Sequence, residues 1–222
     1  MPLNIAMDGP VGAGKSSIAN AVAQRLNILH LDTGAMYRTI GLAAIRQGID
    51  LQDEAAVTIL AQTVDISVRH GADGQHTLLA GEDVSGLIRT EQVSMAASTV
   101  ARYAGVRKAM VALQQKLAAQ TDMLVDGRDI CLVVLPNATV KIYLTASAEA
   151  RAMRRFLELQ KKGAPDTYEQ VLEDLKQRDW QDMNREVDPL RPAEDAIIVD
   201  TTEMTFDQVV EHIIDIVKEK QA

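Results

Sequence analysis

Residues 9–16, Gly9-Pro10-Val11-Gly12-Ala13-Gly14-Lys15-Ser16, fit G-x-x-x-x-G-K-[ST], a spacing that can hold a phosphate chain. Glycines let the backbone bend until its N–H groups converge on an anion, and a helix beginning at the end of the loop adds partial positive charge. In such a loop Lys15 reaches the β- and γ-phosphates, and the Ser16 hydroxyl holds Mg²⁺. A second concentration of chemistry is Asp126-Gly127-Arg128-Asp129, directly after the apolar Met123-Leu124-Val125. A carboxylate in that place suits a metal-associated acid, although Asp126 also reads as a strand-end turn residue. Arg178, Asp182 and Arg185 recur at helical spacing on one face. Arg151, Arg154 and Arg155 crowd another segment. Each of these sets alone also reads as solvated charge, since exposed ion pairs contribute little. In a chain with a P-loop and a net charge of −8, clustered arginines point to several phosphates held together.

These groups need elements to position them. The apolar run Leu3-Asn4-Ile5-Ala6-Met7 predicts a buried strand entering the loop, and Ile18, Val22 and Leu26 predict a helix leaving it. Further strands are predicted at 28–32, 123–127, 140–145 and 196–200. Gly34 suits a turn before a helix from Met36 through Ile45, closed by Gly48-Ile49-Asp50, and a short helix follows over 53–62. Val64, Ile66 and Val68 alternate with polar residues. With the turn Gly71-Ala72-Asp73-Gly74 and the return Thr77-Leu78-Leu79-Ala80, they predict a small antiparallel insertion. Residues 91–120 read as helices divided near Gly105. Ser147 caps a helix that ends at the loop Lys162-Gly163-Ala164-Pro165. Thr167 with Gln170, and Thr205 with Gln208, are capping-box patterns for two more. Helices alternating with short apolar strands indicate an α/β domain on a parallel sheet. Ligands of such sheets gather at the carboxyl ends of the strands, where Asp8, Asp32, Asp126 and Asp200 fall.

Bulk properties narrow the classes. The 222 residues are 47% hydrophobic but 3% aromatic, so the core is aliphatic. With 23 basic and 31 acidic residues, the chain lacks the basic balance of a sequence-independent nucleic-acid binder. One cysteine, Cys131, excludes an intrachain disulfide, and the four histidines are scattered without zinc-site spacing. No uncharged run reaches the ~20 residues that span a bilayer, and no signal peptide is visible. The expectation is a cytoplasmic protein without membrane or nucleic-acid partners. No N-K-x-D base-reading motif supports a GTPase, and Asp83-Val84-Ser85-Gly86 matches D-x-x-G too loosely to count. Phosphoryl transfer between two phosphates needs alignment and charge stabilisation, and the acceptor is already ionised, so no general base is required.

Gly9 through Ser17, Leu31-Asp32-Thr33-Gly34-Ala35-Met36-Tyr37-Arg38, Gly81-Glu82-Asp83-Val84-Ser85, Asp126-Gly127-Arg128-Asp129 and Pro189-Leu190-Arg191-Pro192-Ala193-Glu194-Asp195-Ala196 together resemble the bacterial-type cytidylate kinases, in order and over nearly the whole chain. The resemblance implies a P-loop kinase with a five-stranded parallel core sheet flanked by helices, a monophosphate-binding insertion at about 36–107 and a short lid at about 150–166. It implies transfer of the ATP γ-phosphate to CMP or dCMP with Mg²⁺; a monomer is expected, since nothing in the sequence suggests an obligate interface. Gly9, Pro10, Val11, Gly12, Ala13, Gly14, Lys15, Ser16 and Ser17 are then the ATP loop. Arg38, Arg128 and Arg185 would hold the acceptor phosphate, with Asp32 and Thr33 on the same side. Ser98, Arg107 and Asp129 would read cytosine, and Arg178 and Asp182 the sugar. Lys15, Asp126, Arg128 and the lid arginines Arg151 and Arg155 would stabilise the transfer, with Ser16 and Asp126 at the metal. Two other readings share the P-loop: a kinase for a different small acceptor, and a regulatory module that binds ATP without transferring it. The chain departs from the family at Cys131-Leu132, where Gly-Thr is usual, and at Asn137, where aspartate is common. Cys131 reads as an inert packing residue.

Overall fold

The computed structural model describes residues 2–71, 74–161 and 163–221. Five strands, β1 (Asn4–Asp8), β2 (Leu29–Asp32), β6 (Met123–Asp126), β7 (Val140–Thr145) and β8 (Ile197–Asp200), form one parallel sheet in the order β2-β6-β1-β7-β8. The central strands β1 and β6 are apolar on both faces because both faces are covered. Side chains alternate across the sheet with period two. Ile5, Met7, Leu124, Ile142 and Leu144 pack with α1 (Lys15–Leu26) and α8 (Phe206–Gln221). Ala6, Leu31 and Val125 pack with α2 (Thr33–Arg46) and α5 (Ala104–Ala118). The predicted stripe of α1 is borne out, with Ile18 and Val22 buried and Leu26 packed against the same cluster.

The remaining elements are α3 (Glu54–Thr63), α4 (Glu91–Val100), α6 (Ala148–Lys161) and α7 (Tyr168–Asn184), with a separate antiparallel sheet of β3 (Ile66–Gly71), β4 (Gly74–Leu79) and β5 (Glu82–Asp83). The predicted hairpin is present. Its turn residues Ala72 and Asp73, like Lys162 of the loop before α7, lie outside the described residues. Strand β5 was not predicted; two exposed residues carry no alternation to read. All the predicted caps form. The Ala150 amide donates to Ser147 Oγ at 3.1 Å. Thr167 and Gln170 make a reciprocal capping box, as do Thr205 and Gln208.

Two glycines differ from expectation. Gly34 lies within the first turn of α2, because Asp32 rather than a glycine turn starts that helix: its Oδ1 accepts from the Ala35 amide at 2.9 Å. The break in 91–120 falls at Ala101–Tyr103, and Gly105 sits in the first turn of α5. A Cβ on Gly105 would lie 2.3 Å from Thr58 Cγ2, so this glycine permits close approach of α3 rather than ending a helix. The hairpin also closes the open edge of β2 with side chains. His70 Nε2 donates to the His30 carbonyl at 2.7 Å, and Gln75 Oε1 accepts from the Asp32 amide at 2.8 Å. Among the described residues, no helix is long and apolar enough to cross a membrane.

Candidate active site

A cleft of about 500 Å³ opens at the carboxyl ends of β1, β2 and β6, between the P-loop, α2, α4 and α7. The loop geometry explains its glycines. At Gly9, φ is 151° and a Cβ would stand 1.9 Å from the Leu144 carbonyl oxygen, so no side chain fits between loop and β7. Gly14 has φ 83° and caps α1, whose first residues are Lys15 and Ser16. Lys15 is buried and donates to the Pro10 carbonyl at 2.7 Å. Burial, and then the nearby Arg128 cation, push its ammonium down to about 7 against the pull of Asp126, Asp182 and Asp8.

Ser16 Oγ donates to Asp126 Oδ2 at 2.9 Å, and the other oxygen of Asp126 lies 2.7 Å from His30 Nε2. Burial works to raise Asp126, but the His30 contact, Lys15 and Ser16 prevail and hold the carboxyl below its ordinary value. Burial likewise works against a charged His30, and the Asp126 hydrogen bond carries its pKa upward. A serine hydroxyl beside an ionised carboxylate is a hard oxygen donor set. It fits Mg²⁺, which takes few protein ligands and arrives with phosphates and water.

The arginines form a second, separate group. Arg38 Nη2 donates to Asp32 Oδ2 at 2.8 Å, while its Nε is buried and unpaired. Arg128 Nε donates to Asp182 Oδ2 at 2.7 Å. Arg178 lines the same wall; burial, then Arg128, Arg155 and Arg38, depress its guanidinium despite Asp182. Arg185 is depressed by burial and by Arg107. Asp32 and Asp182 offset part of this crowding of cations, and an anionic ligand in the cleft offsets more. Beyond it, Arg107 is buried between Asp129 and Asp188, and Ser98 faces the cleft from α4.

The structure thus brings together most of the predicted residues and moves some. Ser17, Asp32, Thr33 and Arg155 line the cleft, with Thr33 Oγ1 donating to the Asp126 carbonyl at 2.7 Å. Arg185 lies past the end of α7, its Nη2 3.6 Å from Asp129 Oδ1, and lines the same cleft as Arg38 and Arg128. Arg151 was expected over the phosphates; here it is buried under the P-loop. It donates to Asp179 Oδ2 and the Val11 carbonyl, both at 2.7 Å, and to the Ala146 carbonyl. Asp179 in turn accepts from the Val11 amide at 3.1 Å, so the pair braces the loop. Asp200, also at a strand end, lines a different hollow with Glu203 and Asp207. Cys131 is buried against the Ala6 and Ile142 carbonyls, its thiol pushed far up by burial, as expected of a packing residue. It lies in a π-helical turn over Ile130–Val134, which no sequence signal announced.

Asp8 is a further residue whose role the sequence left unassigned. Its two oxygens accept from the Ile130 and Cys131 amides, each at 2.8 Å, and so anchor the turn that follows Arg128 and Asp129. Burial raises its pKa to about 6. An asparagine there accepts one amide and turns a donor toward the other. Asp8→Asn is therefore expected to destabilise the fold by about 2 kcal/mol. In a chain of this size that lowers Tm by roughly 4–8 °C, checked by thermal melting. An unshifted Tm would show that the anchor contributes nothing.

A sequence model of the cytidylate kinase family matches residues 5–219. A protein of Caldicellulosiruptor saccharolyticus described as cytidylate kinase is 47% identical over 214 residues, covering 96% of this chain and 95% of the relative. One from Bacillus licheniformis, with the same description, is 48% identical over 219 residues, covering 98% and 97%. Among solved structures, an uncharacterised protein from Eubacterium ventriosum superimposes with a TM-score of 0.54 at 11% identity, over 97% of this chain and 98% of that one. That likeness concerns the fold alone.

Proposed function

Because the chain belongs to the cytidylate kinase family, we propose that it transfers the γ-phosphoryl group of ATP to CMP or dCMP, giving CDP or dCDP. The observation that carries this reading is the pairing of two cationic sites in one cleft. One is a P-loop with Lys15, and the other is the cluster of Arg38, Arg128, Arg178 and Arg185. Lys15 and Arg128 are close enough to repel each other, so a phosphate chain at one and a monophosphate at the other are neighbours.

In the reaction, an oxygen of the acceptor phosphate forms a bond to the γ-phosphorus. The bond from that phosphorus to the β–γ bridging oxygen breaks, and its electron pair leaves with ADP. The attacking oxygen is already ionised, so no proton need be moved. The residues 9–17 hold the donor, and Lys15 follows the charge that develops on the β- and γ-oxygens. Arg38, Arg128 and Arg185 orient the acceptor, with Arg178 and Asp182 at the sugar. Ser98, Arg107 and Asp129 meet the base. Mg²⁺, held by Ser16 and Asp126, would supply further neutralisation of the β- and γ-phosphates. Arg155 closes with the lid at about 150–166 over the insertion at about 36–107, excluding water. Arg151 acts from beneath, through the loop it braces. The protein works as a cytoplasmic monomer.

The test is to mix protein, ATP and Mg²⁺ with CMP, dCMP, UMP, AMP or shikimate and follow ADP release. Turnover is expected with CMP and dCMP. Turnover with UMP or AMP far above CMP would reject the acceptor, and no acceptor-dependent turnover would reject transfer altogether. Cytosine presents an amino donor that the Asp129 carboxylate accepts, whereas uracil presents a carbonyl there. Asp129→Ala is expected to lower kcat/KM for CMP and narrow the CMP/UMP ratio by about tenfold, the cost of one unpaired polar contact. An unchanged ratio removes Asp129 from base reading.

A further inference from the structure

Asp188 stands outside every motif in the chain, yet it touches two arginines of the cleft, Arg107 and Arg185. Its φ is 49°, uncommon for a non-glycine residue. That backbone turns its two acceptors in different directions. The carbonyl accepts from Arg185 Nε at 2.7 Å and from Arg185 Nη2. The carboxylate Oδ2 accepts from Arg107 Nε at 2.7 Å. Arg107 is almost wholly buried, and its Nη2 donates to Asp129 Oδ2 while its Nη1 reaches the Ala101 carbonyl at 3.3 Å.

Nε and the adjacent Nη of a guanidinium form an edge that commonly clasps a single carboxylate with two parallel bonds. Here that edge is divided between two carboxylates. Asp129 therefore receives one N–H from Arg107, and its Oδ1 stands 3.6 Å from Arg185 Nη2, beyond hydrogen-bond length. Without Asp188, the buried cation has one carboxylate left to pair with, and the bidentate clasp on Asp129 becomes its best arrangement. Both oxygens of Asp129 would then be occupied.

We propose that Asp188 is a positioning residue for base selection: by holding Nε of Arg107, it keeps Oδ1 of Asp129 open to the amino group of cytosine. The inference rests on the reading of Asp129 as the base-reading carboxylate. A plain structural role, as the turn residue before Pro189, makes a different prediction. Asparagine tolerates positive φ much as aspartate does, and glycine tolerates it better. Asp188→Asn and Asp188→Gly therefore both keep the turn and the carbonyl that holds Arg185; glycine removes the acceptor of Arg107 Nε, whereas asparagine keeps a neutral amide oxygen for it.

The experiment measures kcat and KM for CMP, dCMP and UMP at saturating ATP, the KM for ATP at saturating CMP, and Tm, for wild type and both variants. The expected result for the glycine variant is a rise of about fivefold or more in KM for CMP, from competition for one hydrogen-bond acceptor. The CMP/UMP ratio of kcat/KM falls by a similar factor, and KM for ATP stays near its wild-type value. The asparagine variant, whose amide oxygen still accepts from Nε, is expected to stay nearer wild type than the glycine variant. If the glycine variant folds poorly, Asp188→Ala, which also lacks an acceptor for Nε, takes its place. Wild-type KM for CMP and a wild-type CMP/UMP ratio in a folded glycine or alanine variant would overturn the proposal and leave Asp188 a turn residue. If wild type itself shows no preference for CMP, the acceptor reading fails and this inference fails with it. An equal rise in KM for ATP and CMP also overturns it, since the effect then belongs to the cleft as a whole.

Discussion

Replacement of Lys15 by methionine is expected to lower kcat by about 10²- to 10³-fold, the usual cost of removing a preorganised charge from a developing anion, without loss of stability. Lys15 is buried, and its cation is disfavoured there by desolvation and by Arg128. An apolar side chain of similar length relieves that penalty, as hydrophobic replacements of buried charges commonly do. The one hydrogen bond lost is to the Pro10 carbonyl. Melting temperature should therefore hold or rise while ADP release at saturating ATP and CMP collapses. The opposed directions separate a catalytic charge from a structural one. If kcat stays within about tenfold of wild type, the charge at this position is not what stabilises the transfer. A fall in Tm with kcat would make Lys15 a brace for the loop, since Pro10 is its partner.

The loop itself was legible because its spacing is dictated by backbone geometry within a few residues. Gly9 and Gly14 occupy conformations or approaches that exclude a side chain, and Ile18 and Val22 repeat at the helical period. The five strands were legible for the same local reason, as apolar runs, four of them ending in an aspartate. What the sequence could not show is pairing across long separations. His30 reaches Asp126 over 96 residues, Asp8 reaches Ile130 over 122, and Asp179 reaches Val11 over 168. None of these has a spacing to recognise, because the sheet order β2-β6-β1-β7-β8 brings them together, not their distance along the chain. Gly105 was misplaced for a related reason. A glycine that permits contact with Thr58 looks, in one dimension, like a glycine that ends a helix. Arg151 and Arg155 are four apart on α6, but one is turned under the loop and the other toward the cleft.

Arg38→Met is expected to reduce kcat/KM for CMP by about 10²-fold, roughly 3 kcal/mol for a charge-assisted contact to phosphate, with the loss concentrated in KM for CMP. The guanidinium is held by one nitrogen, Nη2, on Asp32, and its buried Nε has no partner. An unpaired buried N–H is costly, and an acceptor phosphate oxygen satisfies it. Asp32 is itself fixed, because its other oxygen caps α2 at the Ala35 amide and its own amide donates to Gln75. The carboxylate therefore cannot follow Arg38 away from this position, and the fork is aimed before any ligand arrives. Arg38→Lys keeps the charge and loses the fork. If geometry dominates, the lysine variant falls close to the methionine variant. If charge dominates, it stays close to wild type. Kinetics with CMP varied at saturating ATP, and the reverse, decide between these outcomes. A loss confined to KM for ATP would exchange the two ends of the cleft, placing the donor on Arg38 and the acceptor elsewhere. That outcome is disfavoured by the P-loop, whose Ser16 is hydrogen-bonded to Asp126 rather than to the Arg38–Asp32 pair.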